Sequence, residues 1–382
     1  MSQLQLAYRF VFLCLSQPTQ RTRSELRNFL RDSRWDWECL IRVATAERIL
    51  PALYEKIQEF ELSEEVPPEI LEFLATVEQL NGDRNQHTLG EAASAAKLLN
   101  DIGIVPVVLK GVAYILTGTY RDPAARYLTD IDLLVPASQL GEAAETLQLH
   151  GYALEDCDAP RVWHHHYPVL LGPGNVAVEL HRSVGLGICD SLLSGREIIQ
   201  DSSVLELHGA QIRIPSPEHL IAHHVAHSQL QNRYRERIWP SLRGMYDLLL
   251  LNQHFQAELD WHLIGNRFRL NRRYGILAVY LLLIGSLLGM DKPAGLRISP
   301  FHRLRWRRRQ FLRSVPFLRH FDPIYILWST IFHRVHLLWS FQRAAGGWGH
   351  VLSMPFRLRF YRHLRKYGLR RAACDGLDWS GL

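Results

Sequence analysis

Three short apolar runs, each stopped by glycine, proline or a change of pattern and each parted from the next by helical sequence, most constrain how this chain can fold. Ile104-Val-Pro-Val-Val-Leu109 lies between Gly103 and Gly111, Thr129-Asp-Ile-Asp-Leu-Leu-Val135 stops at Pro136, and Asn175-Val-Ala-Val-Glu-Leu-His181 is the third. Runs this short and this rich in β-branched residues read as strands. Ala210-Gln-Ile-Arg-Ile214 predicts a fourth. Between them the pattern predicts a short helix over 112–116 and a longer one from about Ser138, as N-cap, to His150, ended by Gly151. Strands alternating with helices make a small α/β sheet.

Helical sequence surrounds that centre. Over residues 1–80, Trp35, Trp37, Leu40, Ile41, Ala44, Ile49, Leu50 and Leu53 recur at helical spacing, and Pro67-Pro68 marks a break. A helix from about Leu80 carries Leu89, Ala92, Ala95, Ala96, Leu98 and Leu99 on its apolar side and ends at Gly103. After Pro217 helices are predicted over 218–230, 238–251 and 261–268. The apolar run Ile276–Met290 falls short of the roughly 20 residues needed to cross a bilayer, so it reads as a buried helix. The expected division is an N-terminal helical region (1–84), an α/β core (85–215), a helical domain (216–300) and a tail (301–382).

With 382 residues, 47% of them hydrophobic, the chain can bury a substantial core, and collagen, coiled coil and wholesale disorder are excluded. Its five cysteines (Cys14, Cys39, Cys157, Cys189, Cys374) are scattered, without a CxxC pair, which argues against a disulfide scaffold and for a reducing cytoplasm. The first residues lack the basic start and cleavage site of a secretory signal.

Charge is divided unevenly. Residues 301–371 hold sixteen Lys or Arg and one acid, Asp322, whereas residues 1–300 carry 28 bases against 35 acids. The tail interleaves these arginines with Trp306, Phe311, Phe317, Trp328 and Trp339. Basic helices with large aromatics suit an anionic membrane surface, and would place a cytoplasmic protein peripherally at the inner membrane face. Nucleic acid is a less favoured partner, and a helical extension folded back on the core with its arginines solvated reads equally from the same residues.

The chemistry centres on Asp130-Ile131-Asp132. Along a strand, alternation puts Asp130 and Asp132 on one face about 7 Å apart and turns Ile131, Leu133 and Val135 to the core. Two carboxylates side by side repel unless a cation lies between them, and Mg²⁺ (or Mn²⁺) suits such hard oxygen ligands and completes its shell with phosphate oxygens. An ordinary strand end with two solvated acids would look the same. Glu179 adds a third carboxylate: in Val178-Glu179-Leu180-His181 it shares a face with His181, opposite the apolar residues. Three carboxylates could bind two metals, one at an acceptor hydroxyl and one at a triphosphate. Lys110 offers a point charge and Gly111 a backbone that phosphate can approach, while Arg126 could clamp phosphate or be a solvated loop arginine. His166, His181 and His227 are candidates to line the cleft, and the i,i+4 pair His223 and His227 lacks the third ligand of a zinc site. No Walker A, Rossmann or GxSxG pattern is present.

Val-Val-Leu-Lys-Gly (107–111), Arg126, Thr-Asp-Ile-Asp-Leu-Leu-Val (129–135), Gly151-Tyr152 and Val-Glu-Leu-His (178–181) together resemble the uncharacterised nucleotidyltransferase family of the polymerase-β-like superfamily. The likeness extends to Arg48-Ile-Leu-Pro51, Pro217-Glu-His-Leu220, His227 and Asp247, over roughly residues 30–290. It implies an α+β fold, a small mixed sheet flanked by helices, with N- and C-terminal helical regions. It also implies that Asp130 and Asp132 are the metal-binding DxD and Glu179 the third carboxylate. The chain departs from the superfamily pattern in carrying Lys110-Gly111, further from the DxD, where most members have Gly-Ser.

The expectation is a metal-dependent nucleotidyltransferase that moves an NMP from an NTP to an unidentified hydroxyl-bearing acceptor and releases pyrophosphate. Asp130, Asp132 and Glu179 would be catalytic and hold the metal; Lys110, Gly111 and Arg126 would bind the nucleotide phosphates. Two alternatives share the same residues: a non-catalytic protein of this fold that recruits a partner at a membrane surface, and a phosphotransferase that moves a γ-phosphate.

Overall fold

A computed structural model describes residues 2–32, 35–155, 165–185, 187–232 and 241–314. Four helices open the chain: α1 (Gln3–Leu15), α2 (Gln20–Leu30), α3 (Trp37–Ala46) and α4 (Leu50–Glu59). They bury Phe10, Leu26, Leu40, Leu53 and Ile57 among themselves. Helix α5 (Pro68–Asp101) follows as a single 34-residue rod. The double proline begins it rather than preceding a separate helix near Leu80, because a proline in the first turn gives up an N–H that has no helical partner there. The rod therefore runs unbroken through residues 84 and 85, and Ala92, Ala95, Ala96 and Leu99 near its C-terminal end are fully buried.

The described strands are β1 (Val107–Val108), β2 (Ile131–Leu134), β3 (Ala153–Leu154), β4 (Leu170–Leu171), β5 (Ala177–His181), β6 (Ser203–Leu207) and β7 (Ala210–Ile214). They form one mixed sheet in the order β3-β4-β5-β2-β1-β7-β6. Strand β2 runs parallel to β5 and antiparallel to β1, and β1 runs parallel to β7. The four expected strands are present. Three more join them: β6 hairpins onto β7, while β3 and β4 are two-residue pieces extending the edge beyond β5. Being central, β2 is buried at every position, Asp132 included.

The remaining helices are α6 (Lys110–Leu116), α7 (Leu140–Leu149), α8 (Ile188–Leu192), α9 (Gly195–Gln200), α10 (Pro217–Ala226), α11 (Leu242–His254), α12 (Trp261–Leu270), α13 (Tyr274–Leu288) and α14 (Pro300–Ser314). Ser138 is not the N-cap of α7: Ala137–Gln139 form a 3₁₀ turn after Pro136, and the cap position falls on Gln139 with no side-chain bond. Helix α10 passes directly into a π-turn, His227–Gln231. The apolar run at 276–290 is a buried helix, α13, that ends at Gly289 with φ +75°. Among the described residues no helix is long and apolar enough to cross a membrane. The architecture is thus the expected α+β fold, a mixed sheet with helical regions on either side in sequence. Of the basic tail, only the part within α14 is described; residues 315–382, with Trp328 and Trp339, lie outside the described residues, as do Cys157 and His164.

Candidate active site

The site is built where β2 and β5 lie side by side. Their parallel register pairs Asp132 with Glu179 and Leu134 with His181. Because side chains alternate, Asp132, Glu179 and His181 leave the sheet on one face while Ile131, Leu133, Val178 and Leu180 fill the core on the other. His181 reaches back along that face: its Nε2 lies 2.7 Å from Asp132 Oδ1 and 3.2 Å from Glu179 Oε2. Lys110, at the first position of α6, closes the group, with Nζ 2.6 Å from Asp132 Oδ1 and 4.0 Å from Glu179 Oε2.

These contacts set the charges. Burial would raise the Asp132 carboxyl, but the Lys110 ammonium and the bond and charge of His181 hold it well below the usual carboxylate range. Burial acts to lower the Lys110 and His181 values, and the facing carboxylates outweigh it and raise both. Asp130 stands just before β2, half-buried, and accepts a 2.8 Å bond from Thr129 Oγ1. Burial and the negative charge of Asp132 push its carboxyl up.

Histidines wall the cluster. His166 bridges His181 in antiparallel fashion, and the rings of His165 and His166 lie 5.4 and 5.3 Å from the His181 ring. From α10 and its π-turn come His223 and His227, with ring centroids 6.0 Å apart. Burial, aided by the Lys110 charge, pushes His223 down to about 3 and holds His227 well below its ordinary value, so both are neutral.

The loop that carries Asp130 is held from below by α5. Asn81 Nδ2 donates to the carbonyls of Ala124 and Arg126, Asn85 Nδ2 to those of Pro123 and Arg126, and Arg84 to that of Leu128 at 2.6 Å. Arg126, expected at the phosphate, is buried with its guanidinium on Asp247: Nε donates to Oδ1 and Nη2 to Oδ2, each at 3.0 Å. Tyr120 donates to the same carboxylate at 2.6 Å. Gly111 lies beneath that guanidinium, so tightly that a Cβ there would sit 2.5 Å from Arg126 Nη1.

Asp132, Glu179 and His181 each offer an atom within 4.8 Å of the others, a donor set of two carboxylates and an imidazole that could hold a divalent cation. Asp130 lies outside that group. His181, read from sequence only as cleft-lining, is central to it, and the signal was its two-residue spacing from Glu179. Glu197, Asp201 and His219 form a second such group. There the Arg267 guanidinium already holds both Glu197 oxygens, so that cluster is an ion pair.

The profile of a family described as uncharacterised nucleotidyltransferase matches residues 33–289. The chain belongs to that family. The match spans the sheet, the whole acidic cluster and helices α3 to α13. Among solved structures, an antigenic nucleotidyltransferase-like protein from Paracoccidioides brasiliensis is similar at 15% identity and a TM-score of 0.34, over 53% of this chain and 93% of its own. No curated protein matches the chain. The family match and the fold together thus give a member of this family with two carboxylates and an imidazole gathered on its central strands.

Proposed function

We propose that this nucleotidyltransferase is a metal-dependent enzyme that transfers the NMP of an NTP to a hydroxyl-bearing acceptor and releases pyrophosphate. The carrying observation is the register that pairs Asp132 with Glu179 and brings His181 Nε2 to both. These three residues, with Asp130 beside them, would hold Mg²⁺ or Mn²⁺. Such an ion offsets triphosphate charge and polarises the α-phosphorus when bound. Lys110 adds a point charge for the phosphates, and Gly111 lets the main chain lie close by. Arg126 serves from behind: its pairing with Asp247 fixes the loop that ends at Asp130.

In the reaction the acceptor oxygen bonds to the α-phosphorus as the bond from that phosphorus to the bridging oxygen of the β-phosphate breaks. Pyrophosphate carries away the electron pair. Glu179, whose side chain is 21% exposed against 2% for Asp132, faces the acceptor and takes its hydroxyl proton. Neutral His223 and His227 line the cleft without adding positive charge. On this reading α14 offers a basic face to an anionic surface, since Phe301 and Leu304, each 63% exposed, stand among its arginines as at a membrane surface.

Product analysis tests the proposal. Incubation with each NTP, Mg²⁺ or Mn²⁺ and a cell extract as acceptor source should yield pyrophosphate and an acceptor labelled from the α-phosphate. A nucleoside diphosphate with γ-label on the acceptor would make the protein a phosphotransferase. Failure to engage any nucleotide would make it a binding protein of this fold.

A further inference from the structure

We propose that Lys110 is the resident counter-charge of the Asp132–Glu179–His181 cluster and gives up Asp132 only when a triphosphate is present to receive its ammonium, so that divalent cation and nucleotide bind as a linked pair. The inference rests on the reading of this cluster as the cation site of a nucleotidyltransferase, and extends it to how the two ligands enter.

One oxygen carries the argument. Asp132 Oδ1 takes Lys110 Nζ at 2.6 Å and His181 Nε2 at 2.7 Å. A cation coordinated to that oxygen would share it with an ammonium, in a buried place where like charges are poorly screened. Asp132 cannot turn away, since it is 1% exposed on a central strand. Lys110 can, because its side chain is 20% exposed and its four-carbon stem is flexible.

The backbone beneath that stem is fixed. Lys110 has φ +49°, a left-handed conformation that a residue with a Cβ adopts only where its surroundings hold it. Gly111, the next residue, has no room for a side chain: a Cβ there would lie 2.5 Å from Arg126 Nη1 and 2.6 Å from Leu128 Cδ2. Those residues are tied in turn to α5 through Asn81, Asn85 and Arg84. Motion is left to the side chain alone, between Asp132 inside and the solvent that its side chain partly meets. A triphosphate there carries several negative charges against those of Asp132 at 2.6 Å and Glu179 at 4.0 Å, and so competes with them for the ammonium. By linkage, whatever helps the nucleotide bind the lysine helps the cation bind Asp132, and the reverse.

Equilibrium dialysis of Mn²⁺ with the full chain, with and without inorganic tripolyphosphate, tests this across wild type, Lys110→Met, Lys110→Arg and Asp132→Asn. Without tripolyphosphate, Lys110→Met should bind Mn²⁺ at least tenfold more tightly than wild type, and Lys110→Arg should stay as weak as wild type. Tripolyphosphate should then tighten Mn²⁺ binding at least tenfold more in wild type than in Lys110→Met. Equal affinity of wild type and Lys110→Met for Mn²⁺ alone, with binding lost in Asp132→Asn, would overturn the inference and leave the cation site standing. Binding unaffected by Asp132→Asn would overturn the cation site itself. Should Lys110→Met not fold by circular dichroism, Lys110→Gln carries the same comparison.

Discussion

Asp132 and Glu179 stand opposite each other on adjacent parallel strands, and the imidazole of His181 spans them, 2.7 Å from one and 3.2 Å from the other. Both strands alternate acid or histidine with aliphatic residues, so the register that buries Ile131, Leu133, Val178 and Leu180 also gathers the polar groups. A slip of one residue would drive Glu179 and His181 into the core. Folding and assembly of the site are thus one event.

Asp132→Asn removes the acceptor shared by Lys110 and His181. Transfer should fall at least about 100-fold, the scale seen when a group that stabilises developing charge is deleted. Stability should drop by about 1–3 kcal/mol, since two donors lose a charged partner while Lys110 can still reach water. Circular dichroism with denaturant melts checks the second value and an α-label assay the first. Full activity in the variant would remove Asp132 from the mechanism.

Arg126 and Asp247 form a buried pair with two bonds of 3.0 Å. Arg126→Met strands the carboxylate and should destabilise the protein by about 3–5 kcal/mol. Combining it with Asp247→Leu should restore part of that loss, giving a coupling that a double-mutant cycle in urea measures. Additive losses would show that the pair does not act as a unit.

Gly111→Ala places a methyl 2.5 Å from Arg126 Nη1 and 2.6 Å from Leu128 Cδ2. Overpacking of this kind should lower stability by about 1–3 kcal/mol. It also shifts the main chain that supports Lys110, so activity should fall with it. An alanine variant as stable as wild type by thermal melting would contradict the close approach.

Glu78 stands on α5, outside the Asp132–Glu179–His181 group. Burial, with Asp122 and Glu55 nearby, raises its carboxyl from 4.5 to about 7. The native state therefore holds a proton that the unfolded chain has released between those values. Stability attributable to this site is complete below pH 4.5 and declines as pH rises towards 7. Glu78→Gln should match wild type near pH 4 and exceed it at pH 8, by less than about 1 kcal/mol because the group is only partly buried and solvent screens it. A wild-type advantage at pH 8 would reverse the sign.

What could be read from sequence followed the strength of each local pattern. Strands β2, β5 and β7 show aliphatic alternation over four or five residues and were legible, and the two-residue spacing of Glu179 and His181 put both on one face. Strands β3 and β4 are two residues each, too short for any periodicity, and they are held by pairing to the edge of β5. The N-cap expected at Ser138 failed because Pro136 introduces a 3₁₀ turn that moves the helix start onward. From sequence Arg126 reads as a phosphate clamp or a solvated loop arginine, because its partner, Asp247, lies 121 residues away and no local pattern links them. The left-handed Lys110 was equally hidden, since no local pattern marks a positive φ at a lysine.

Calorimetry of the full chain with each NTP in Mg²⁺, beside the Asp130→Asn/Asp132→Asn variant, tests the central claim most directly. The account predicts saturable binding of at least one NTP that requires the cation and is lost in the variant. Absence of binding to every NTP by the wild-type protein, or binding that survives unchanged in the variant, would contradict it.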